Sequence, residues 1–233
     1  MIILSIFAIG DTHLSFSTDK PMSVFYGWND HVERIEKNWR AIVRDEDAVI
    51  IPGDISWAMS LEGAKKDFEF LHSLPGTKII MKGNHDYWWN TKKKMDSFLE
   101  ENGLTTIKIL HNNAFRFGNY TVCGTRGWFY DAEADADMKV VRREAGRLRM
   151  SIAEGRKLGG EIIVFLHYPP LSVIQKCDEL LNVLYEEEIN RCFYGHLHGG
   201  STSGAYIGEY EKTKFTLVSA DYLNFCPKLI EKF

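Results

Sequence analysis

Apolar residues recur along the chain in short runs of strand length: IILSIFAI, DAVIIP, TKIIMK, TTIKIL, YTVCG, EIIVFLH and RCFYGH. Several are apolar at consecutive positions, the pattern of strands covered on both faces. Amphipathic stretches run between them. In HVERIEKNWRAIVR, Ile35, Trp39, Ile42 and Val43 share one helical face. From Ala132 to Lys157, Met138, Val141, Ala145, Leu148 and Ile152 form a second stripe, and EGAKKDFEFLHSL offers Phe68, Leu71 and Leu74. The N-terminal half therefore alternates strand and helix, which predicts βαβ units. FRFGNYTVCG reads instead as a hairpin turning at Gly118-Asn119, and GAYIGEYEKTKFTLVSADYLNF as further short strands. The pattern predicts an α/β chain with mixed sheets, parallel strands and helices first and antiparallel strands later.

Composition narrows this picture. With 233 residues, 45% of them hydrophobic, the chain can bury a substantial core. No linker, low-complexity stretch or internal repeat divides it, so residues 1–233 are expected to form a single domain. A net charge of −4 argues against bulk binding to nucleic acid through phosphate neutralisation, while leaving room for a small basic mouth to a site. Cys123, Cys177, Cys192 and Cys226 form no C-x-x-C pair and read as reduced thiols of a cytoplasmic protein. The opening MIILSIFAIG lacks a basic leader and a cleavage site and stops at Asp11, so it reads as a buried first strand. No segment approaches the length needed to span a membrane.

The chemistry lies at the ends of the apolar runs. IGDTH places Asp11 and His13, IPGDIS places Asp54, and MKGNHD places Asn84, His85 and Asp86. EIIVFLH ends in His167, and RCFYGHLH in His196 and His198. In open α/β sheets, ligands bind at this C-terminal edge of the strands. Carboxylates and imidazoles beside buried strands are costly to desolvate unless something compensates them. Divalent ions do so, taking negative charge from carboxylates and lone pairs from neutral imidazoles. The i, i+2 spacing of Asp11 with His13, and of His196 with His198, predicts that each pair faces one side of an extended strand. Each motif alone has a plain structural explanation as a turn, cap or core histidine; five together, in this order, do not. Asp11, His13, Asp54, Asn84, His167, His196 and His198 are seven candidate ligands. That is more than one ion uses while keeping an open position, and it favours two ions sharing a carboxylate.

The blocks GDTH, GD, GNHD, a lone histidine after a strand, and GHLH resemble in order the signature of the calcineurin-like metallophosphoesterase superfamily, from Asp11 to His198. The resemblance implies a four-layer α/β/β/α sandwich with two mixed β-sheets. It implies that Asp11, His13 and His198 hold one metal, that Asn84, His167 and His196 hold another, and that Asp54 bridges. It implies that His85 is not a ligand but faces the substrate, protonating the leaving group or stabilising phosphoryl oxygens, and that Asp86 orients His85 by a hydrogen bond. The implied activity is hydrolysis of a phosphodiester or phosphomonoester by a metal-bridging hydroxide, with two divalent ions (Mn, Fe or Zn) as cofactors. A small phosphoester is the favoured substrate. A nuclease acting on short or single-stranded nucleic acid, and a non-catalytic metal-binding scaffold of the same fold, are the alternatives.

The second block reads GDISW, where serine/threonine protein phosphatases of the superfamily carry G-D-x-V-D-R-G. The third has His85 where the lipid-A-pathway pyrophosphatase branch has arginine. Both departures weaken those assignments. No G-x-x-x-x-G-K-[ST], G-x-S-x-G or H-E-x-x-H is present, which argues against nucleotide-triphosphatase, serine-hydrolase and zincin readings. Aromatic residues follow the metal motifs: Trp57, Tyr87, Trp88, Trp89, Trp128, Phe129 and Tyr130. Packing on the sheets is the better explanation for most, but Trp57 and Trp88 are candidates to line the cleft, and Arg126 to contact phosphate. Asn90 is a candidate N-cap for the helix that TKKKM begins. Residues Leu14 to Asp30 show little periodicity and read as a long loop bordering the site and shaping specificity.

Overall fold

The structure, a computed structural model, describes residues 4–128 and 135–233. Its first sheet contains β1 (Ser5–Ala8), β2 (Ala48–Ile51), β3 (Thr77–Ile80) and β4 (Ile107–Ile109), all parallel. The last strand, Lys228–Lys232, pairs antiparallel with β1 at one edge. The second sheet begins with the predicted hairpin, β5 (Phe115–Phe117) and β6 (Tyr120–Thr125). Phe117 pairs with Tyr120, so Gly118 and Asn119 alone make the turn, and Gly118 takes the positive φ (55°) that such two-residue turns demand. β7 (Glu161–Leu166), β8 (Arg191–Tyr194), β9 (Gly208–Tyr210) and β10 (Thr213–Leu217) complete it, in the order β5-β6-β7-β8-β10-β9. The terminal strand of the first sheet is β11.

The division into parallel first and antiparallel later does not hold. β6, β7, β8 and β10 run parallel, and antiparallel pairing is confined to the sheet edges at β5, β9 and β11. Hydrophobic pattern reports burial, not strand direction; the helical crossovers, α4 among them, make the centre parallel.

Alternation along each strand builds the layers. On the first sheet Ile6, Ala8, Ile50 and Ile79 point inward and meet Val122, Ile163, Phe165 and Phe193 of the second. Phe7, Val49, Ile51 and Ile80 point outward under α1 (His31–Ile42), α2 (Lys65–Ser73) and α3 (Lys92–Glu101). Ile162, Val164, Leu166 and Cys192 lie under α4 (Asp135–Leu158) and α5 (Asp178–Glu186). The result is four layers, α/β/β/α. Because both faces of each central strand are covered, the strands read as unbroken apolar runs.

The helices follow the predicted stripes with small differences. Ile35, Trp39 and Val43 are buried, but Ile42 is 40% exposed, at the last turn of α1 where the helix leaves the sheet. Val141, Ala145, Leu148 and Ile152 of α4 are buried. The cap of α3 is Thr91, whose hydroxyl accepts from Lys94 N, while Asn90 Oδ1 accepts from Thr91 N one residue too early to cap. α5 was not anticipated, although Leu180, Leu181, Val183 and Leu184 bury one face of it. Among the described residues no helix is long and apolar enough to cross a membrane.

Candidate metal centre

The predicted polar residues emerge together where the chain leaves the C-terminal ends of strands from both sheets. Asp11 and His13 follow β1, Asp54 follows β2, Asn84 and His85 follow β3, His167 follows β7, and His196 and His198 follow β8. Main-chain bonds tie these loops to one another: Asp11 N donates to Gly53 O (3.0 Å), His13 N to Asp54 O (3.0 Å) and Gly195 N to His167 O (3.1 Å).

The strand pleat does not aim the side chains, contrary to the i, i+2 expectation. β1 ends at Ala8 and β8 at Tyr194, before the motifs begin. Asp11, His13, Asp54 and His196 all adopt left-handed backbone conformations, with φ of 58°, 44°, 50° and 73°. Such non-glycine residues cost about 1–3 kcal/mol each and persist only where surrounding structure enforces them. Here they turn the side chains back over the sheet edge. His196 and His198 end up in different clusters.

Ligand-capable atoms of Asp11, His13 and His198 lie within 4.8 Å of one another, and so do those of Asp54, His167 and His196. In the first cluster His13 Nε2 stands 3.3 Å from His198 Nε2, which is 3.4 Å from Asp11 Oδ1. In the second, Asn84 Oδ1 lies 2.6 Å from His167 Nε2 and 2.9 Å from His196 Nδ1. Asp54 faces both: Oδ1 is 3.6 Å from His167 Nε2, and Oδ2 is 3.9 Å from His13 Nε2.

The electrostatics follow from burial. Desolvation, then the charge of Asp11, pushes the Asp54 carboxyl up to about 7. Desolvation acts to raise Asp11 too, but the charge and hydrogen bond of His198 outweigh it and hold Asp11 well below the usual carboxylate range. Burial, reinforced by His167, drives His196 down to about 3; burial and His198 take His13 well below its ordinary value. Burial also opposes protonation of His198, but Asp11 and Asp221 raise it to about 10. His167 shows most directly that the residues fit a metal. Its Nδ1–H donates to the Pro52 carbonyl (3.0 Å), so Nε2 presents a bare lone pair toward Asn84 Oδ1 and Asp54 Oδ1. Acceptors converging from three side chains suit a divalent ion.

The glycines of the motifs have a steric reason. A Cβ at Gly83 would overlap Asp54 Oδ1 and N, and one at Gly195 would overlap the Asp11 carboxylate. Each glycine lets a loop from one strand close onto a carboxylate from another.

A profile of the calcineurin-like phosphoesterase family matches residues 4–200. The chain belongs to the calcineurin-like phosphoesterase family. It is also 34% identical over 117 residues to an uncharacterized protein, MJ1445, of Methanocaldococcus jannaschii, a match spanning 48% of this chain and 61% of that one. Its fold resembles that of a protein of unknown function from Aquifex aeolicus, AQ665, at a TM-score of 0.56 and 15% identity, covering 97% of this chain and 95% of that one. It likewise resembles phosphopantetheinyl hydrolase from Mycobacterium tuberculosis, at a TM-score of 0.53 and 14% identity, covering 97% and 95% of the two chains.

Around this calcineurin-like centre, the remaining predicted residues divide. His85 belongs to neither cluster. Its ring is 5.8 Å from that of His13 and 4.5 Å from that of Trp57, and its backbone N–H donates to Asp54 Oδ1 (2.8 Å). Burial, then His167 and His198, lowers the His85 pKa. Asp86 does not orient His85. Its buried carboxylate accepts from the backbone N–H groups of Asp54 (2.9 Å), Ile55 (2.8 Å), Ser56 (3.3 Å) and Gly83 (2.7 Å) and from Trp88 Nε1 (3.1 Å). His85 Nδ1 has no partner among the described residues.

Trp88 is 1% exposed and packs edge-on against Phe68, so it is core rather than cleft lining. Trp57 does reach the centre: it stacks on His13 at 4.9 Å and carries Lys20 Nζ over its ring at 4.7 Å. Arg126 meets the site through its carbonyl, which accepts from His167 N and Tyr168 N, while its guanidinium lies over Trp128. Phe129 and Tyr130 lie outside the described residues. The segment from Leu14 to Asp30 borders the centre through buried Trp28, edge-on to His13 (5.7 Å) and His198 (5.6 Å). Sequence reasoning missed Asp221, which reaches His198 from beyond β10. The available signal was VSAD, another apolar run delivering a carboxylate at its end.

Proposed function

We propose that the protein is a binuclear metal-dependent phosphoesterase, in which Asp11, His13 and His198 hold one divalent ion, Asn84, His167 and His196 hold a second, and Asp54 bridges. The placement of Asp54, one carboxylate oxygen toward each cluster, carries this reading. Nitrogen, carboxylate and amide-oxygen donors suit Mn²⁺, Fe or Zn²⁺. When bound, such a pair supplies Lewis acidity to phosphoryl oxygens and lowers the pKa of the attacking water.

The chain's own residues do the rest. The buried carboxylates and imidazoles fix where the phosphoryl group sits, and the Asp86 bonds hold the Asp54 and Asn84 loops in register. His85, outside both clusters, would donate to a phosphoryl oxygen or to the leaving oxygen. Trp57 and Lys20 form the wall beside it. We assign the whole of residues 1–233 to this one catalytic domain, acting on a small phosphoester.

The test is metal content and turnover measured side by side, with added Mn²⁺, on a chromogenic phosphodiester, a phosphomonoester, cyclic nucleotides and short oligonucleotides. Asp54→Asn is expected to weaken both metals. His85→Ala is expected to keep both and to slow turnover by about 10²–10⁴-fold, the usual contribution of a positioned proton donor. A His85→Ala protein stripped of metal would overturn the role given to His85, and a wild-type protein that binds metal but hydrolyses none of these esters would overturn the catalytic reading.

A further inference from the structure

We infer that Asp221 is a positioning residue for one metal position only, holding the His198 ring so that Nε2 faces Asp11 and His13. The inference rests on the two-cation reading of the centre. Asp221 Oδ1 lies 3.1 Å from His198 Nδ1 and accepts from Tyr222 N (2.9 Å); Oδ2 accepts from Gly199 N (2.7 Å). One carboxylate therefore grips both the ring and the main chain just beyond it.

Asp221 is itself fixed relative to Asp11. After β10 the chain is zipped to the Asp11 loop: Gly10 N donates to Val218 O (2.7 Å) and Ala220 N to Gly10 O (3.0 Å). The turn that follows is closed by Leu223 N to Ser219 O, Asn224 N to Asp221 O and Phe225 N to Ala220 O. Asn224 and Phe225 both take left-handed conformations (φ 52° and 59°) to make it. Phe225 packs against Trp28 at 5.1 Å, and Trp28 stands edge-on to His198. The ring of His198 is thus bounded by Trp28, His13 and the Asp221 carboxylate.

The other cluster is built differently. His167 Nδ1 is hydrogen-bonded to the neutral Pro52 carbonyl at 3.0 Å, with the Asp11 carboxylate beyond bonding distance at 3.7 Å, and the bonds of the Asp221 carboxylate go to His198, Gly199 and Tyr222. A carboxylate behind a ligating imidazole fixes its tautomer and raises its basicity, and losing such a partner typically lowers metal affinity about 10–100-fold. The asymmetry predicts a loss at one position and not the other.

Metal-free wild type, Asp221→Asn and Asp221→Ala are titrated with Zn²⁺ by calorimetry, and the histidine ring resonances are followed by NMR. Wild type is expected to bind two ions and, when loaded, to show an exchange-protected Nδ1–H on His198. Asp221→Ala should lose that proton signal and bind one ion about 10–100-fold more weakly, with the His13 and His198 resonances responding late and that of His167 on schedule. Asp221→Asn, which can still accept from Nδ1–H but carries no charge, should fall between. Wild-type affinities in Asp221→Ala, or equal weakening at both positions, would overturn the inference alone. A wild type that takes up no Zn²⁺ would overturn the reading of the centre, and this inference with it.

Discussion

At the scale of single residues, the centre is braced by side chains that belong to neither cluster. Asp86 is the clearest. Alanine there leaves four backbone N–H groups and one indole N–H without their acceptor in a buried setting. Each buried orphan costs about 1–3 kcal/mol, so even with partial rescue by water the loss should be on the order of 4 kcal/mol. Asp86→Ala is therefore expected to lower the denaturant midpoint sharply and to reduce metal content, because the Asp54 and Asn84 loops lose their common anchor. Unchanged metal content in a destabilised Asp86→Ala would show that the anchor is not needed to shape the centre. Gly83→Ala tests the same junction from the other side: its Cβ would collide with the Asp54 main-chain N as well as its carboxylate, so both metal uptake and stability should fall. Residue-level reading of the sequence could name the residues that the structure gathers at this edge because each motif is local. It mistook the role of Asp86 because that carboxylate's partners are main-chain groups, which carry no side-chain signature. Asp221 escaped it because only the fold brings residue 221 beside His198.

At the scale of elements, the central strands and the stripes of α1, α2 and α4 were legible because burial imposes period two on strands and 3.6 on helices. Strand direction was not, since a strand covered on both faces looks the same whichever way its neighbour runs. Nor was the way the ligands are aimed: left-handed residues after the strands turn them, and aspartate or histidine at such a φ leaves no pattern to read. Helix placement has its own test, far from the centre. α4 approaches β6 closely at Gly155, where a Cβ would lie 2.5 Å from Cys123 Sγ and 3.2 Å from Thr121 Cγ2. Gly155→Val should push helix from sheet and cost about 1–3 kcal/mol, as overpacking does. Two-metal uptake should survive it. Loss of metal in this variant would mean that the position of α4 is transmitted to the centre, against the present account.

At the scale of the whole molecule, each cluster is shared between the two sheets. Asp11 and His13 come from the first sheet and His198 from the second; Asp54 and Asn84 come from the first and His167 and His196 from the second. Between the sheets lies an apolar layer in which Ile6, Ala8, Ile50 and Ile79 of the first sheet meet Phe165 and Phe193 of the second, themselves stacked at 4.9 Å on adjacent strands. At the edge the situation reverses. Without cations, buried Asp11 and Asp54 repel, and Asp54 rises to about 7 as a result of burial and of Asp11. Ions held there would join the two sheets across this edge and relieve that repulsion, so they must bind the folded chain far better than the unfolded one. Mass action then sets the size of the effect: free metal at one hundred times its dissociation constant stabilises by about 2.7 kcal/mol per site. For a chain of this size that is roughly 5–10 °C in melting temperature per site. Wild-type protein stripped by a chelator and then titrated with Mn²⁺ should show this rise, Gly155→Val should show it from a lower baseline, and Asp54→Asn should show little of it. A melting temperature indifferent to Mn²⁺ in the wild type would mean that the edge between the sheets is not where the cations sit.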